Sequence, residues 1–246
     1  MSASVLLISC EHGGNAVPPE LAPLFADQEA VLASHRGYDP GALRTARVLA
    51  RVRQDTPVFV AEISRLIVDL NRSRTNPALF SAITGTLAAR ERERLVAAYY
   101  CPHRDAVTRA VAALTAAGRT VVHVASHSFT PCLDGVERRC DVGFLYDPGR
   151  SAEKAFCLRW LQELAALDPT LRLRRNAPYR GVSDGLPTTL RRRFGNRYLG
   201  MELEVNQRFV LTNAPAFACL NRQLATSLER ALDAMSADGS ASPHKS

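Results

Sequence analysis

Apolar residues fall along the chain in short runs separated by polar stretches of helical periodicity. Val5-Leu6-Leu7-Ile8 is brief and uninterrupted, the pattern of a short buried strand. Residues 19–32 read as one or two short helical turns. Asp39-Pro40 is a helix-start pair, aspartate as N-cap and proline in the first helical position. It predicts a helix to about Arg53, with Leu43, Ala46, Leu49 and Ala50 on one face. Residues 58–63 predict a second strand, and 66–70 a third apolar run ending in Asn71-Arg72-Ser73. A loop rich in Ser, Thr, Asn, Pro and Gly over 74–86 precedes a helical region over 87–117. Pro102 must interrupt that region or begin a second helix, and Gly118 is its stop. Strands are then predicted over 120–126, 142–146, 171–174 and 199–205. They alternate with helices over 151–167, 186–194 and 213–235, and 176–185 is a Pro/Gly loop.

Strands alternating with helices predict an α/β fold: a single-domain three-layer sandwich whose mixed, largely parallel sheet is flanked by helices. Neither an internal repeat nor a linker divides residues 1–235, and the Ser/Ala/Gly-rich stretch 236–246 is expected to be a disordered tail. Active sites of such folds gather beyond the carboxyl ends of the strands. His12, Asn71-Arg72 and His127 each fall at such an end, and Glu204 lies near the end of a fourth strand. Gly13 and Gly14 after His12 allow the backbone a positive φ and leave room for a ligand. A histidine beside open backbone suits a metal ion. His123 and His127 share a strand face but stand about 13 Å apart at roughly 3.3 Å per residue. They cannot hold one ion together; His127 is the better ligand, and His123 is expected to be packed and hydrogen-bonded within the sheet. Glu202 and Glu204 share a face on a strand whose Met201, Leu203 and Val205 mark it as buried. A carboxylate there needs a partner, which an active site provides.

Composition narrows the classes further. The 246 residues are 46% hydrophobic and 22% charged, ordinary for a globular protein. The start, Met1-Ser2-Ala3-Ser4, has no charged n-region, so no signal peptide is expected, and no apolar run approaches membrane-spanning length. Cys10, Cys101, Cys132, Cys140, Cys157 and Cys219 show no regular spacing and read as reduced, mostly buried thiols of a cytoplasmic protein. The formal charge is +7, and Lys154 and Lys245 are the only lysines, so the excess is arginine. It is scattered apart from Arg191-Arg192-Arg193 and lacks interleaved stacking aromatics, which argues against nucleic-acid binding. Arginine forks do suit capture of small carboxylates.

Five segments in order carry a family resemblance. Cys10-Glu11-His12-Gly13-Gly14-Asn15, Ser64-Arg65-Leu66-Ile67-Val68-Asp69-Leu70-Asn71-Arg72, Ser126-His127-Ser128-Phe129, Asn176-Ala177-Pro178-Tyr179-Arg180-Gly181 and Glu202-Leu203-Glu204-Val205-Asn206 together resemble the N-formylglutamate amidohydrolase family. The resemblance spans about residues 5–208. It implies a phosphorylase/hydrolase-like fold akin to zinc carboxypeptidases and aspartoacylases, a Zn2+ cofactor, and hydrolysis of an N-acyl amino acid, with N-formyl-L-glutamate as the family substrate. It makes His12 and His127 zinc ligands and Glu204 the acid/base. Asn71 and Arg72 become a clamp for the substrate α-carboxylate, with Arg65 and Arg180 as further anion contacts. Two positions depart from related enzymes: Asn15 stands where a ligating glutamate is common, and Ala125 where an aspartate is. For the third ligand the expectation is Asp39, with Glu11 as the rival.

Within enzymes the alternatives are deacylation of another N-acyl amino acid or a small carboxypeptidase activity. Outside them, it is a metal- or ligand-binding protein on the same fold without catalysis. Tyr99, Tyr100 and His103 around Pro102 read as packing.

Overall fold

The computed structural model describes residues 4–240, with side chains to Ala237. Its strands are β1 (Ser4–Cys10), β2 (Val58–Val60), β3 (Thr120–Phe129), β4 (Cys132–Leu133), β5 (Val136–Glu137), β6 (Val142–Leu145), β7 (Leu173–Arg175) and β8 (Tyr198–Asn206). Six form one sheet in the order β2-β1-β3-β8-β6-β7. The pairings β2–β1, β1–β3, β3–β8 and β6–β7 are parallel and β8–β6 is antiparallel. β4 and β5 form a separate hairpin across Asp134 and Gly135, both at positive φ.

Helices α1 (Glu29–Leu32), α2 (Ala42–Leu49), α3 (Ala89–Leu95), α4 (Cys101–Ala116), α5 (Ser151–Leu167), α6 (Leu186–Phe194), α7 (Arg208–Thr212) and α8 (Ala214–Ser240) complete the chain. Alternate residues of the central strands point to opposite layers. Leu6, Ile8, Val122 and Val124 pack with residues of α2, α5 and α8, while Leu7 and Val121 pack with Val107 and Val111 of α4 and Leu186 and Leu190 of α6. This is the expected three-layer sandwich around a mixed, largely parallel sheet.

Most predicted elements are present within a residue or two, and four differences have physical causes. The helix expected from Asp39 starts at Ala42, with Gly41 as its N-cap at φ 85°, and Asp39 caps nothing. Its carboxylate is drawn instead to buried cations. The run Leu66 to Leu70 is a buried turn segment, not a strand. Its side chains join Leu21, Phe25, Leu79, Leu95 and Val96 in a satellite core. Its carbonyls are met from outside any ladder: buried Thr84 donates to Leu66 and Ile67 (3.1 and 2.9 Å), and Arg104 to Leu70 (3.2 Å). His127 lies within β3, which runs two residues past it. The stretch expected as tail from Ser236 starts inside α8, which continues to Ser240; residues 241–246 lie outside the described residues.

The long region over 87–117 resolves as anticipated around Pro102. α3 passes through a π-helical turn, Val96–Tyr100, into α4, where Pro102 occupies the first turn and needs no partner for a missing N–H. The basic run is not a surface stripe. Arg191 is buried, its Nε donating to Glu153 (3.0 Å) and its Nη groups to the Gly181 and Gly200 carbonyls (2.6 and 2.7 Å). All six cysteines are unpaired; Cys10, Cys140 and Cys157 are buried, Cys132 and Cys219 exposed. Among the described residues no helix is long and apolar enough to cross a membrane.

His123 stitches three strands together. Its Nε2 meets the Ser9 hydroxyl (2.7 Å) and its Nδ1 the Tyr198 hydroxyl (2.6 Å), all fully buried. Burial pulls its pKa down to about 4. In the unfolded chain the imidazole titrates at about 6.5. The folded value is depressed, so the contribution to stability is complete above about pH 6.5 and declines as pH falls towards 4. His123→Leu, which orphans two buried hydroxyls, is expected to cost about 2–4 kcal/mol at pH 7. Chemical denaturation from pH 7 to 4 should show the gap to wild type narrowing across that window; a constant gap would refute the account.

Candidate active site

The parallel strands β1, β3 and β8 end at the same edge of the sheet, and each delivers polar side chains there. β1 leads into Glu11 and His12. β3 carries His127 in register with Glu204 of β8, and Ala125 in register with Glu202. The chain after His12 lies flat on the segment following β2: the Gly13 amide donates to the Ala61 carbonyl (2.9 Å), and a Cβ on Gly14 would stand 2.4 Å from the Glu62 carbonyl oxygen. The positive-φ glycines among the described residues are Gly41, Gly118, Gly135 and Gly195. Gly13 and Gly14 therefore serve close backbone approach, and the positive φ open to glycine is not used there.

Asp39 reaches the same place from a loop. Its amide donates to the His12 carbonyl (2.9 Å), and Ser128 and Ser126 of β3 donate to the Pro40 and Ala42 carbonyls (2.8 and 2.9 Å). This pins the segment against β3. The Asp39 Oδ2 atom lies 2.9 Å from His127 Nδ1 and 3.4 Å from His12 Nδ1. The two imidazole centroids are 5.1 Å apart. A tetrahedral ion with ligand bonds near 2.0–2.1 Å separates its donors by about 3.3 Å. Two imidazole nitrogens and a carboxylate oxygen, all buried and within 4.8 Å of one another, fit a divalent cation. Asn15 does not contribute; it is exposed and donates to the Leu32 carbonyl (3.0 Å). The carboxylate in this cluster is that of Asp39.

Each imidazole has a carboxylate behind it. His12 Nε2 donates to Asp69 Oδ1 (2.7 Å), and His127 Nε2 lies 3.2 Å from Glu11 Oε2. Arg65 bridges Asp69 Oδ2 (2.7 Å) and Asp39 Oδ1 (3.2 Å). His103 Nε2 lies 3.3 Å from Glu11 Oε1. Burial alone would raise all three carboxylates. The neighbouring charges and hydrogen bonds outweigh it and hold each below its ordinary range: Arg65 and His12 for Asp69, His12, His127 and Arg65 for Asp39, His103 and His127 for Glu11. His127 is raised, since Asp39 and Glu11 overcome its desolvation.

Glu204 behaves oppositely. Burial, reinforced by Asp39 and Glu202, pushes its pKa up to about 8, against the opposing pull of His127 and Arg65. Its Oε2 is buried without a hydrogen-bond partner. It faces a cavity of about 270 Å³ that His12, Asp39, His127, Arg65, Asn71, Arg72 and Arg180 also line.

The cavity is closed by the Pro/Gly loop, which brings Tyr179, Arg180, Ser183 and Asp184. The loop lies directly on β6, because the Ala177 carbonyl oxygen stands 2.0 Å from where a Cβ on Gly143 would be. Asp184 clips it to the other wall by accepting from the Ser73 amide (2.9 Å) and Asn76 Nδ2 (2.6 Å).

Of the candidate site residues, His12, Asp39, Arg65, Asn71, Arg72, His127, Arg180 and Glu204 line this one cavity. Glu11 does not line the cavity and stands behind His127. Asn71 is committed internally: Oδ1 accepts from the Leu186 amide (2.8 Å) and Nδ2 donates to Glu202 (2.7 Å). The support from Asp69 to His12 and from His103 to Glu11 was missed. Both are long-range pairings; Asp69 shows in the sequence only as a charged residue inside an apolar stretch, and His103 only within the cluster around Pro102 that reads as packing.

Over residues 4–211 the sequence matches the family described as N-formylglutamate amidohydrolase. A gene product of Agrobacterium tumefaciens of known crystal structure is 30% identical, with a TM-score of 0.78 over 94% of this chain and 91% of that one. The N-formylglutamate amidohydrolase of Ralstonia eutropha is 19% identical, with a TM-score of 0.71 over 95% and 94%, which shows a shared fold. No curated protein matches the sequence. With its carboxylate–imidazole cluster set at the carboxyl ends of three parallel strands, and a family match over most of its length, the chain belongs to the N-formylglutamate amidohydrolase family and is an amidohydrolase.

Proposed function

We propose that the protein hydrolyses the amide bond of a small acidic N-acyl amino acid, with N-formyl-L-glutamate, giving formate and L-glutamate, as its substrate. We further propose that it does so with a zinc ion held by His12, Asp39 and His127. The observation that carries this reading is the placement of Glu204: a buried carboxylate with a free oxygen, beside two imidazoles and a carboxylate that converge on one point. When bound, zinc polarises an amide carbonyl and lowers the pKa of water. Glu204 accepts the proton of the attacking water and returns it to the leaving nitrogen. Its elevated pKa in the free protein reflects a poorly compensated negative charge, and a cation at the triad would lower it.

The arginines divide by what they already hold. Arg65 lines the cavity, but its fork is committed to Asp39 and Asp69, so it fixes the site and adds positive charge. Asn71 positions Glu202 and the start of α6. Arg180 is exposed and has no ion pair among the described residues, and Arg72 is only partly held, by the Asp184 carbonyl (3.2 Å) and a long ion pair to Asp69 (3.9 Å). Arg72 is therefore assigned to the α-carboxylate of the substrate and Arg180 to its side-chain carboxylate. A cavity of about 270 Å³ suits a small molecule. The unpaired cysteines accord with a reducing, cytoplasmic setting.

Metal analysis of the purified protein should find one zinc per chain, and Asp39→Ala and His12→Ala should fall below a tenth of that while remaining folded by circular dichroism. Full zinc content in both would sink the ligand assignment. Glu204→Gln should keep its zinc and lose about 10²–10⁴-fold in kcat. The raised folded pKa of Glu204 means its contribution to stability is complete below about pH 4.5 and lost as pH rises through about 8. Metal-free Glu204→Gln should therefore melt above metal-free wild type, by a margin that widens from pH 4.5 to 8. Arg180→Ala should raise KM for N-formylglutamate about 10-fold or more, with little change for a formylated neutral amino acid; equal effects on both would remove Arg180 from side-chain recognition.

A further inference from the structure

Two chains of contacts of the same form run outward from the triad. One is Arg65–Asp69–His12, with separations of 2.7 and 2.7 Å. The other is His103–Glu11–His127, with separations of 3.3 and 3.2 Å. In the first, an arginine fixes the carboxylate that orients the imidazole. In the second, that place belongs to His103, a residue that does not line the substrate cavity.

Glu11 depends on it heavily. Its side chain is fully buried; among the described residues its Oε1 takes a hydrogen bond from His103, and its Oε2 faces His127 as an ion pair without a hydrogen bond. A buried carboxylate is tolerated only when paired. His127 turns its Nδ1 to Asp39, so its Nε2 alone is left to face Glu11. His103 is the one contact of Glu11 that lies outside the triad.

Its position is built by the local fold. The π-helical turn and Pro102 set the start of α4 against the site. From there Tyr100 donates to the Arg72 carbonyl (2.8 Å) and Arg104 to the Leu70 carbonyl (3.2 Å), next to His103. Three side chains of one helix end thus brace both Glu11 and the 70–72 segment. The other side of His103 lines a separate apolar groove with Val58, Val60, Ala98 and Tyr99.

We propose that His103 is a positioning residue for the metal site: by holding Glu11 against His127 Nε2, it keeps His127 Nδ1 aimed at the point shared with His12 and Asp39. A carboxylate behind a ligating imidazole fixes the ring and raises its basicity, and loss of such support weakens metal binding by about 10- to 100-fold. This rests on the reading of the triad as a zinc site.

The test is zinc affinity of the full-length protein, measured by competition with a chelator. His103→Leu and His103→Asn, the second too short to reach Glu11, are expected to bind zinc about 10- to 100-fold more weakly than wild type. His103→Gln, whose amide can donate to Glu11, should stay within about threefold. In a Glu11→Gln background, His103→Asn should have little further effect. Unchanged affinity in the Leu and Asn variants, failure of Gln to rescue, or an undiminished loss in the Glu11→Gln background would each overturn the role of His103. Wild-type protein that binds no zinc would overturn the site reading as well, so the two failures are told apart.

Discussion

Buried negative charge at the carboxyl ends of three parallel strands is the constraint on which the molecule depends. Glu11, Asp39, Asp69 and Glu204 are all buried within a few residues of one another in space. A carboxylate in such surroundings is unfavourable by several kcal/mol unless cations and donors surround it. Three of the four are answered by cations: Asp69 by Arg65 and His12, Asp39 by Arg65 and both imidazoles, and Glu11 by His103, with an ion pair from His127 at its otherwise unbonded Oε2. Glu204 is not, and its pKa moves in the opposite direction from theirs. That contrast separates groups that hold a geometry from a group able to take up and release a proton.

The sheet makes the convergence possible. β1, β3 and β8 run in parallel, so their carboxyl ends share an edge, and the Glu11-His12 pair, His127 and Glu204 arrive together. The two strands beyond β8 reverse direction. This returns the 176–185 loop across β6, where Gly143 lets its backbone touch the sheet, and so roofs the cavity with Tyr179 and Arg180. The polar edge made by one run of strands is thus covered by a loop from the other.

Legibility in the sequence followed how local each signal was. α5, α6 and β8 are self-contained patterns of alternation, periodicity and stop signals, and they appear almost to the residue, while β1 extends its apolar run by one residue before and two after. The Leu66 to Leu70 run failed because a short apolar stretch looks the same as strand or as buried turn; what decides is where its carbonyls find donors, and Thr84 and Arg104 supply them. Asp39 was read both as a helix cap and as a ligand. As a cap it would have been held by its own helix, but two buried imidazoles and an arginine outbid a turn of backbone amides.

The sequence alone determined the alternation of strands and helices, the burial of Glu204 on a hydrophobic strand, and the set of histidines, arginines and carboxylates available for chemistry. These follow from periodicity and residue type, which each short segment carries within itself. The tertiary structure alone decided which carboxylate joins the two imidazoles, that Arg65 and Asn71 are bound inward while Arg180 is left free, and that His103 stands behind Glu11. Apart from Arg65 with Asp69, four residues on, those are pairings across 26 to 131 positions of the chain, chosen by the need to compensate charge once water is excluded, and no local pattern records that need.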